Sequence, residues 1–160
     1  MVKGKTNAVR MLDQKKVSYE LLQYSPDDGK IDGVSVAEKI GEDARHVFKT
    51  LVTISSTKNL HIFIIPVSAE LDLKRAARVA GEKKVDMLPV ADLQKYTGYI
   101  RGGCSPVGMK KQYPTFIDQK AEEFSTIIVS AGKIGMQMKV GIADLLKVTN
   151  GQIASVIHKG

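Results

Sequence analysis

The residues best suited to chemistry lie between Thr97 and Gly108, where the chain reads Thr-Gly-Tyr-Ile-Arg-Gly-Gly-Cys-Ser-Pro-Val-Gly before Met109, Lys110 and Lys111. Four glycines, a proline and a serine in this stretch rule out a regular helix or a central strand. The pair Gly102-Gly103 lets main chain approach a ligand closely, because no Cβ intervenes. Its N–H groups are then free to face a carbonyl oxygen or a phosphate. Arg101, Lys110 and Lys111 supply positive charge at its flanks. The loop reads as the floor of a small pocket for an anion or an ester.

Lys49 is the second candidate. It sits in the β-rich run Phe48-Lys49-Thr50-Leu51-Val52-Thr53-Ile54. Strand alternation puts Phe48, Val52 and Ile54 on one face and Lys49 with Leu51 and Thr53 on the other. Neither face is clearly a solvent face. A buried ammonium needs acceptors or a bound anion, or it loses its proton. The plain alternative is an edge-strand lysine with a packed stem and a wet head.

Cys104 stands inside the glycine loop, and a catalytic thiolate needs a base or an electropositive pocket. His46, His61 and His158 are the available bases, yet none forms a recognisable cysteine-hydrolase motif, and a small apolar loop residue is the simpler reading. One cysteine and three scattered histidines lack metal-ligand spacing, so no metal and no cofactor are expected. Gly103 to Gly108 resembles the front of a phosphate-binding loop, but Met109 stands where the lysine belongs and no Ser or Thr follows Lys110-Lys111. Nucleoside triphosphate binding is therefore rejected. Ser130-Ala131-Gly132-Lys133 ends an apolar strand with small residues, which suits a pocket wall or an ordinary strand exit. Tyr24 could donate a hydroxyl hydrogen bond or simply be a half-buried aromatic.

The elements that must position these residues follow from turn and cap signals. Thr6 or Asn7 caps a first helix carrying Ala8, Met11 and Leu12 on one face. Tyr19 to Tyr24 reads as a strand and Pro26-Asp27-Asp28-Gly29 as a turn. Ser35 to Glu38 reads as a capping box opening a helix that stops at Gly41. Phe48–Ser55 and Leu60–Pro66 form a hairpin around Ser56 to Asn59. Asp72 caps a helix through Ala80 that Gly81 closes. A short strand near Val85 and a helix opened by Pro89 and running to about Tyr96 come next. Strands near Thr115–Asp118, Ser125–Ser130 and Met136–Val140, a helix over Asp144–Val148 and a strand over Ile153–Ile157 complete the chain. The hairpin interrupts the alternation of helix and strand, so the expected class is α/β (α+β), a mixed sheet with helices around it.

The 160 residues suit a single domain spanning 1–160, large enough to bury a core without disulfides. With one cysteine there is no internal disulfide, and Met1 to Lys5 has no apolar run behind it. A reducing cytoplasm is the expected compartment, with no membrane involved. The formal charge is +7, from 24 basic and 17 acidic residues. That balance makes a polyanion such as nucleic acid a plausible partner, and a merely solvated basic surface is the alternative.

Taken in order, Phe48-Lys49-Thr50-Leu51, Glu70 to Lys74, Gly81 to Val85, Thr97-Gly98-Tyr99, Gly102 to Gly108, Lys110-Lys111 and Ser130 to Lys133 resemble the YbaK/EbsC family of aminoacyl-tRNA deacylases. The similarity runs from about Thr6 to Ile157 and is strongest to the Cys-tRNA(Pro) deacylase branch. It implies a curled mixed sheet with surrounding helices and one pocket. It implies removal of cysteine mischarged onto proline tRNA, with prolyl-tRNA synthetase as a partner beside the tRNA acceptor end. It implies that Lys49, Gly102 and Gly103 carry the reaction. It assigns substrate contacts to Tyr24, Thr50, Ser105, Ser130 and Gly132. Two departures stand out: Gln137 where some members carry an acidic residue, and Cys104 where an aliphatic residue is usual.

The mechanism implied by the family is substrate-assisted, with the thiol of the bound cysteine attacking its own ester. Three other readings compete with it. They are an Ala-tRNA(Pro)-type deacylase that uses water, a hydrolase with Cys104 as nucleophile and His46 or His61 as base, and a module that binds tRNA or a synthetase without catalysis.

Overall fold

The computed structural model describes residues 5–158. Thr6 starts the first helix, α1 (Asn7–Gln14); its hydroxyl oxygen accepts from the Val9 N–H and its hydroxyl donates to the Ala131 carbonyl. One residue thus caps the helix and fastens it to a strand wall. Strand β1 (Tyr19–Gln23) leads to α2 (Gly33–Lys39). Here the structure corrects the expected capping box. Asp32, not Ser35, is the cap, and its carboxylate accepts from the Ser35 N–H at 3.1 Å. A carboxylate at the N-terminus also suits the helix dipole, so the earlier start wins.

A 3-10 turn (Ala44–His46) precedes the hairpin of β2 (Phe48–Ser55) and β3 (Leu60–Pro66), which pair antiparallel from Phe48 opposite Pro66 to Ile54 opposite Leu60. Helix α3 (Leu73–Ala80) is capped by Asp72 and closed by Gly81, as the sequence predicts. Then come β4 (Val85–Met87), α4 (Val90–Thr97), the glycine loop, β5 (Thr115–Asp118) and a second 3-10 turn (Gln119–Glu123). The chain finishes with β6 (Thr126–Lys133), β7 (Met136–Gly141), α5 (Ile142–Thr149) and β8 (Gln152–Ala154). The last strand is shorter than expected, because beyond Ala154 only an isolated bridge joins Ile157 to Leu71.

The strands form a five-stranded mixed sheet in the order β4-β2-β3-β5-β8 and a three-stranded antiparallel sheet in the order β1-β7-β6. In the larger sheet β3, β5 and β8 run parallel while β4, β2 and β3 alternate. Among the described residues, a single parallel bridge, Val47 to Ile128, ties the two sheets together. The main core fills the space between them and α1, with Leu12, Phe48, Ile64, Ile117, Ile127, Val129 and Met138 all essentially sealed from solvent. Strand β3 is buried along its whole length, as expected of a central strand covered on both faces. Among the described residues, no helix is long and apolar enough to cross a membrane.

Candidate active site

A cavity of about 110 Å³ opens where the two sheets meet. The start of β2 contributes Phe48, Lys49 and Thr50, with Val47 just before it, and Val67 follows β3. The approach to α2 adds Ile31, and the helix itself adds Gly33 and Val36. The glycine loop contributes Gly102 and Cys104, and β6 and β7 contribute Ser130 and Gln137. The volume is well below the roughly 300–1,000 Å³ of pockets that enclose drug-sized ligands. It suits a side chain and an ester, with any larger leaving group outside.

Among the described residues, Lys49 is the only charged residue lining the cavity. Burial lowers its pKa from the ordinary lysine value, and the charge of Glu70 partly offsets this. Glu70 is exposed and outside the cavity, and among the described residues the Lys49 ammonium has no hydrogen-bond acceptor. It is a half-buried cation with its donors free, which is what an anion or a developing oxyanion requires. Thr50 Oγ1, at the next position, is buried without a partner.

The glycine loop is held from several sides. The Tyr99 hydroxyl donates to the Val107 carbonyl at 2.6 Å, and Ser105 Oγ accepts from the Val107 N–H. Gly102 has φ +84°, and Gly103 lies so close to the Lys133–Ile134 main chain that a Cβ would sit 2.9 Å from the Ile134 nitrogen. The two glycines therefore do different work. The Gly103 N–H is spent inside the turn, donating to the Ile100 carbonyl at 3.0 Å. The amides of Gly102 and Cys104, both in the cavity wall, have no protein acceptor among the described residues. They are donors that the protein itself leaves unpaired at the cavity wall.

Cys104 is only 8% exposed, and burial pushes its thiol up to about 12, an effect that the nearby Thr97 hydroxyl only partly offsets. A thiol at that value stays protonated near neutral pH and is a poor nucleophile. None of the three histidines lines the cavity. His46 contacts the Thr126 carbonyl and Glu42 and stacks on Phe124, while His61 lies in the β2–β3 hairpin near Glu82.

Of the residues singled out from the sequence, the cavity brings together Lys49, Thr50, Gly102, Cys104 and Ser130. Ser130 Oγ accepts from the Gly132 N–H at 3.1 Å, so Gly132 shapes that wall from behind. Tyr24, Gly103, Ser105 and Gly132 are not among its lining residues. Tyr24 is buried with an unpartnered hydroxyl, and Ser105 is sealed within its own turn.

Residues 32–148 match the family described as the aminoacyl-tRNA editing domain. The chain belongs to that family. It is 47% identical over 155 residues to EbsC of Enterococcus faecalis, whose name marks it as a candidate Cys-tRNA(Pro)/Cys-tRNA(Cys) deacylase; the match covers 97% of this chain and 94% of that one. The same fold recurs in a crystal structure described as a candidate trans-editing enzyme for prolyl-tRNA synthetase, with a TM-score of 0.82 and 18% identity over 98% of this chain and all of that one. A crystal structure of a hypothetical protein superposes with a TM-score of 0.86 at 18% identity, over 96% of this chain.

The cavity of this editing domain is also lined by residues that the sequence did not mark. Ile31, Val36, Val47 and Val67 form apolar wall, and no local pattern marks them, because they come from three separate stretches. Gln137 stood out only as a departure from the family pattern. Its signal was available: an amide between Met136 and Met138, in a strand whose other polar side chain is Lys139.

Proposed function

We propose that this editing domain is a trans-editing deacylase that cleaves the ester of cysteine mischarged onto proline tRNA, or of Cys-tRNA more generally. The observation that carries the reading is the cavity's composition: one acceptor-free ammonium, two free amides and no ready nucleophile. An aminoacyl ester is already activated, so such a site needs only to hold it and stabilise the charge that develops.

In the proposed reaction the cysteine sulfur attacks its own carbonyl carbon. The carbonyl–ribose oxygen bond breaks, a cyclic thioester forms, and the thiol proton passes to the leaving ribose hydroxyl. Water then opens the thioester to free cysteine. The amides of Gly102 and Cys104 face the carbonyl oxygen, one such donor being worth about 3–4 kcal/mol in comparable sites. Lys49 neutralises charge at the ester or the leaving oxygen, and Ser130 and Thr50 orient the ester from the cavity wall. The tRNA body lies outside, held by basic surface through phosphates, so its affinity falls with salt. A surface that reads phosphates leaves the choice of tRNA to a synthetase partner, here prolyl-tRNA synthetase.

A time course with labelled Cys-tRNA(Pro) and Ala-tRNA(Pro) tests the reading. Rapid loss of cysteine and slow loss of alanine are expected. Equal rates would point to water as the nucleophile. Cys104→Ala is expected to keep most activity; a dead variant with a trappable acyl-enzyme would establish Cys104 as the nucleophile instead.

A further inference from the structure

An aminoacyl ester offers the site several hydrogen-bond acceptors, namely its carbonyl, its ester oxygen and the ribose oxygens, but at its reacting end one strong donor group, the α-amino group. The cavity's own inventory is complementary. Its donors are Lys49 and the free amides of Gly102 and Cys104, and they match the substrate's acceptors. Its acceptors are few. Ser130 Oγ is already engaged by the Gly132 N–H, and Thr50 offers a hydroxyl that can also donate.

Gln137 fills the gap. It lines the cavity from β7, the middle strand of its sheet, with its main chain opposite Leu22 on one side and Ser130 on the other. It is only 6% exposed, and among the described residues its side-chain amide makes no hydrogen bond. The amide keeps solvent access at the cavity wall and makes no bond within the protein, so it is free to exchange water for a ligand. Among the described residues, no carboxylate lines the cavity to form an ion pair with an ammonium.

We infer that Gln137 is a substrate-positioning residue whose side-chain carbonyl accepts a hydrogen bond from the α-amino group of the esterified amino acid. Specificity for an amino acid, as opposed to a plain thiol ester precursor, is then read by a neutral acceptor opposite Lys49. This deepens the deacylase reading and rests on it. The amide of Gln137 fixes the Cα substituents and so sets the direction from which the substrate's sulfur meets its carbonyl.

The test crosses two substrates with two proteins. Cys-tRNA and 3-mercaptopropionyl-tRNA differ only in the α-amino group. Gln137→Leu is expected to lower kcat/KM for Cys-tRNA about tenfold, the size of one lost hydrogen bond, while changing the des-amino substrate by less than about twofold. An equal loss on both substrates, or no loss on either, would overturn the assignment. Gln137→Met repeats the experiment if the leucine variant does not fold. Binding of a non-hydrolysable amide, 3′-cysteinylamido-3′-deoxyadenosine, and its des-amino counterpart supplies a second readout with the same expected pattern. Absence of cleavage by the unaltered protein would sink the deacylase reading, and this binding pair would still decide the role of Gln137.

Discussion

Lys49→Met keeps the unbranched stem of the side chain and deletes its ammonium. Activity and stability should then move in opposite directions. The ammonium is half-buried, lacks an acceptor among the described residues and is depressed in pKa by burial. A charge of this kind acts on a developing oxyanion with about 4 kcal/mol, taking a separation of roughly 4 Å and an effective dielectric near 20. Its loss is worth roughly a thousandfold in rate. The same desolvation makes the charge a burden in the free protein. Its removal should therefore raise stability, by no more than about 1 kcal/mol for a half-exposed group. In a domain of this size that is at most about 2–4 °C in Tm. Single-turnover deacylation of Cys-tRNA reads the first quantity and a thermal melt the second. Retention of more than roughly a tenth of the rate would refute the electrostatic role. Loss of activity together with a clear drop in Tm would show that Lys49 works through the fold.

Gly102→Ala should lose both stability and activity. The residue adopts φ +84°, and its Cβ would come within 2.9 Å of Ile31 Cδ1, which itself lines the cavity. A cost of about 1–3 kcal/mol is expected in denaturant unfolding, with a fall in deacylation beyond what the unfolded fraction explains. His61 makes stability pH-dependent: burial lowers its pKa from 6.5, and its Nδ1 is buried without a partner. The unfolded chain therefore takes up the proton first, so stability holds above that ordinary value and falls as pH drops below it. Unfolding at pH 7.5 and 5.5 should show a larger loss for the parent protein than for His61→Leu. Tyr24→Phe removes a buried hydroxyl with no partner, so Tm should hold or rise; a marked fall would mean that the hydroxyl is satisfied in solution.

The hairpin was legible because both its strands are long β-branched runs separated by a polar turn, and α3 because Asp72 and Gly81 mark its ends. The start of α2 misled because Ser35 and Glu38 mimic a capping box inside a helix that Asp32 had already opened. The split of the strands into two sheets has no local signature, since it depends on which strand finds which neighbour. The site divides the same way. Lys49 and the diglycine turn stand out by residue type, whereas the division of labour between Gly102 and Gly103 depends on an amide donating to Ile100, which only the folded turn reveals. Gln137 was visible as an oddity, but its direction follows from β7 being flanked on both sides.

The seam at Val47 and Ile128 has a consequence for how such a site can diverge. The cation stands on one ladder of hydrogen bonds, while Ser130 and Gln137 stand on another. Like two jaws of a vice on separate slides, either can be reshaped while the other keeps its own backbone pairing. Selection for a different amino acid can therefore work on one jaw and leave the Lys49 charge where it is.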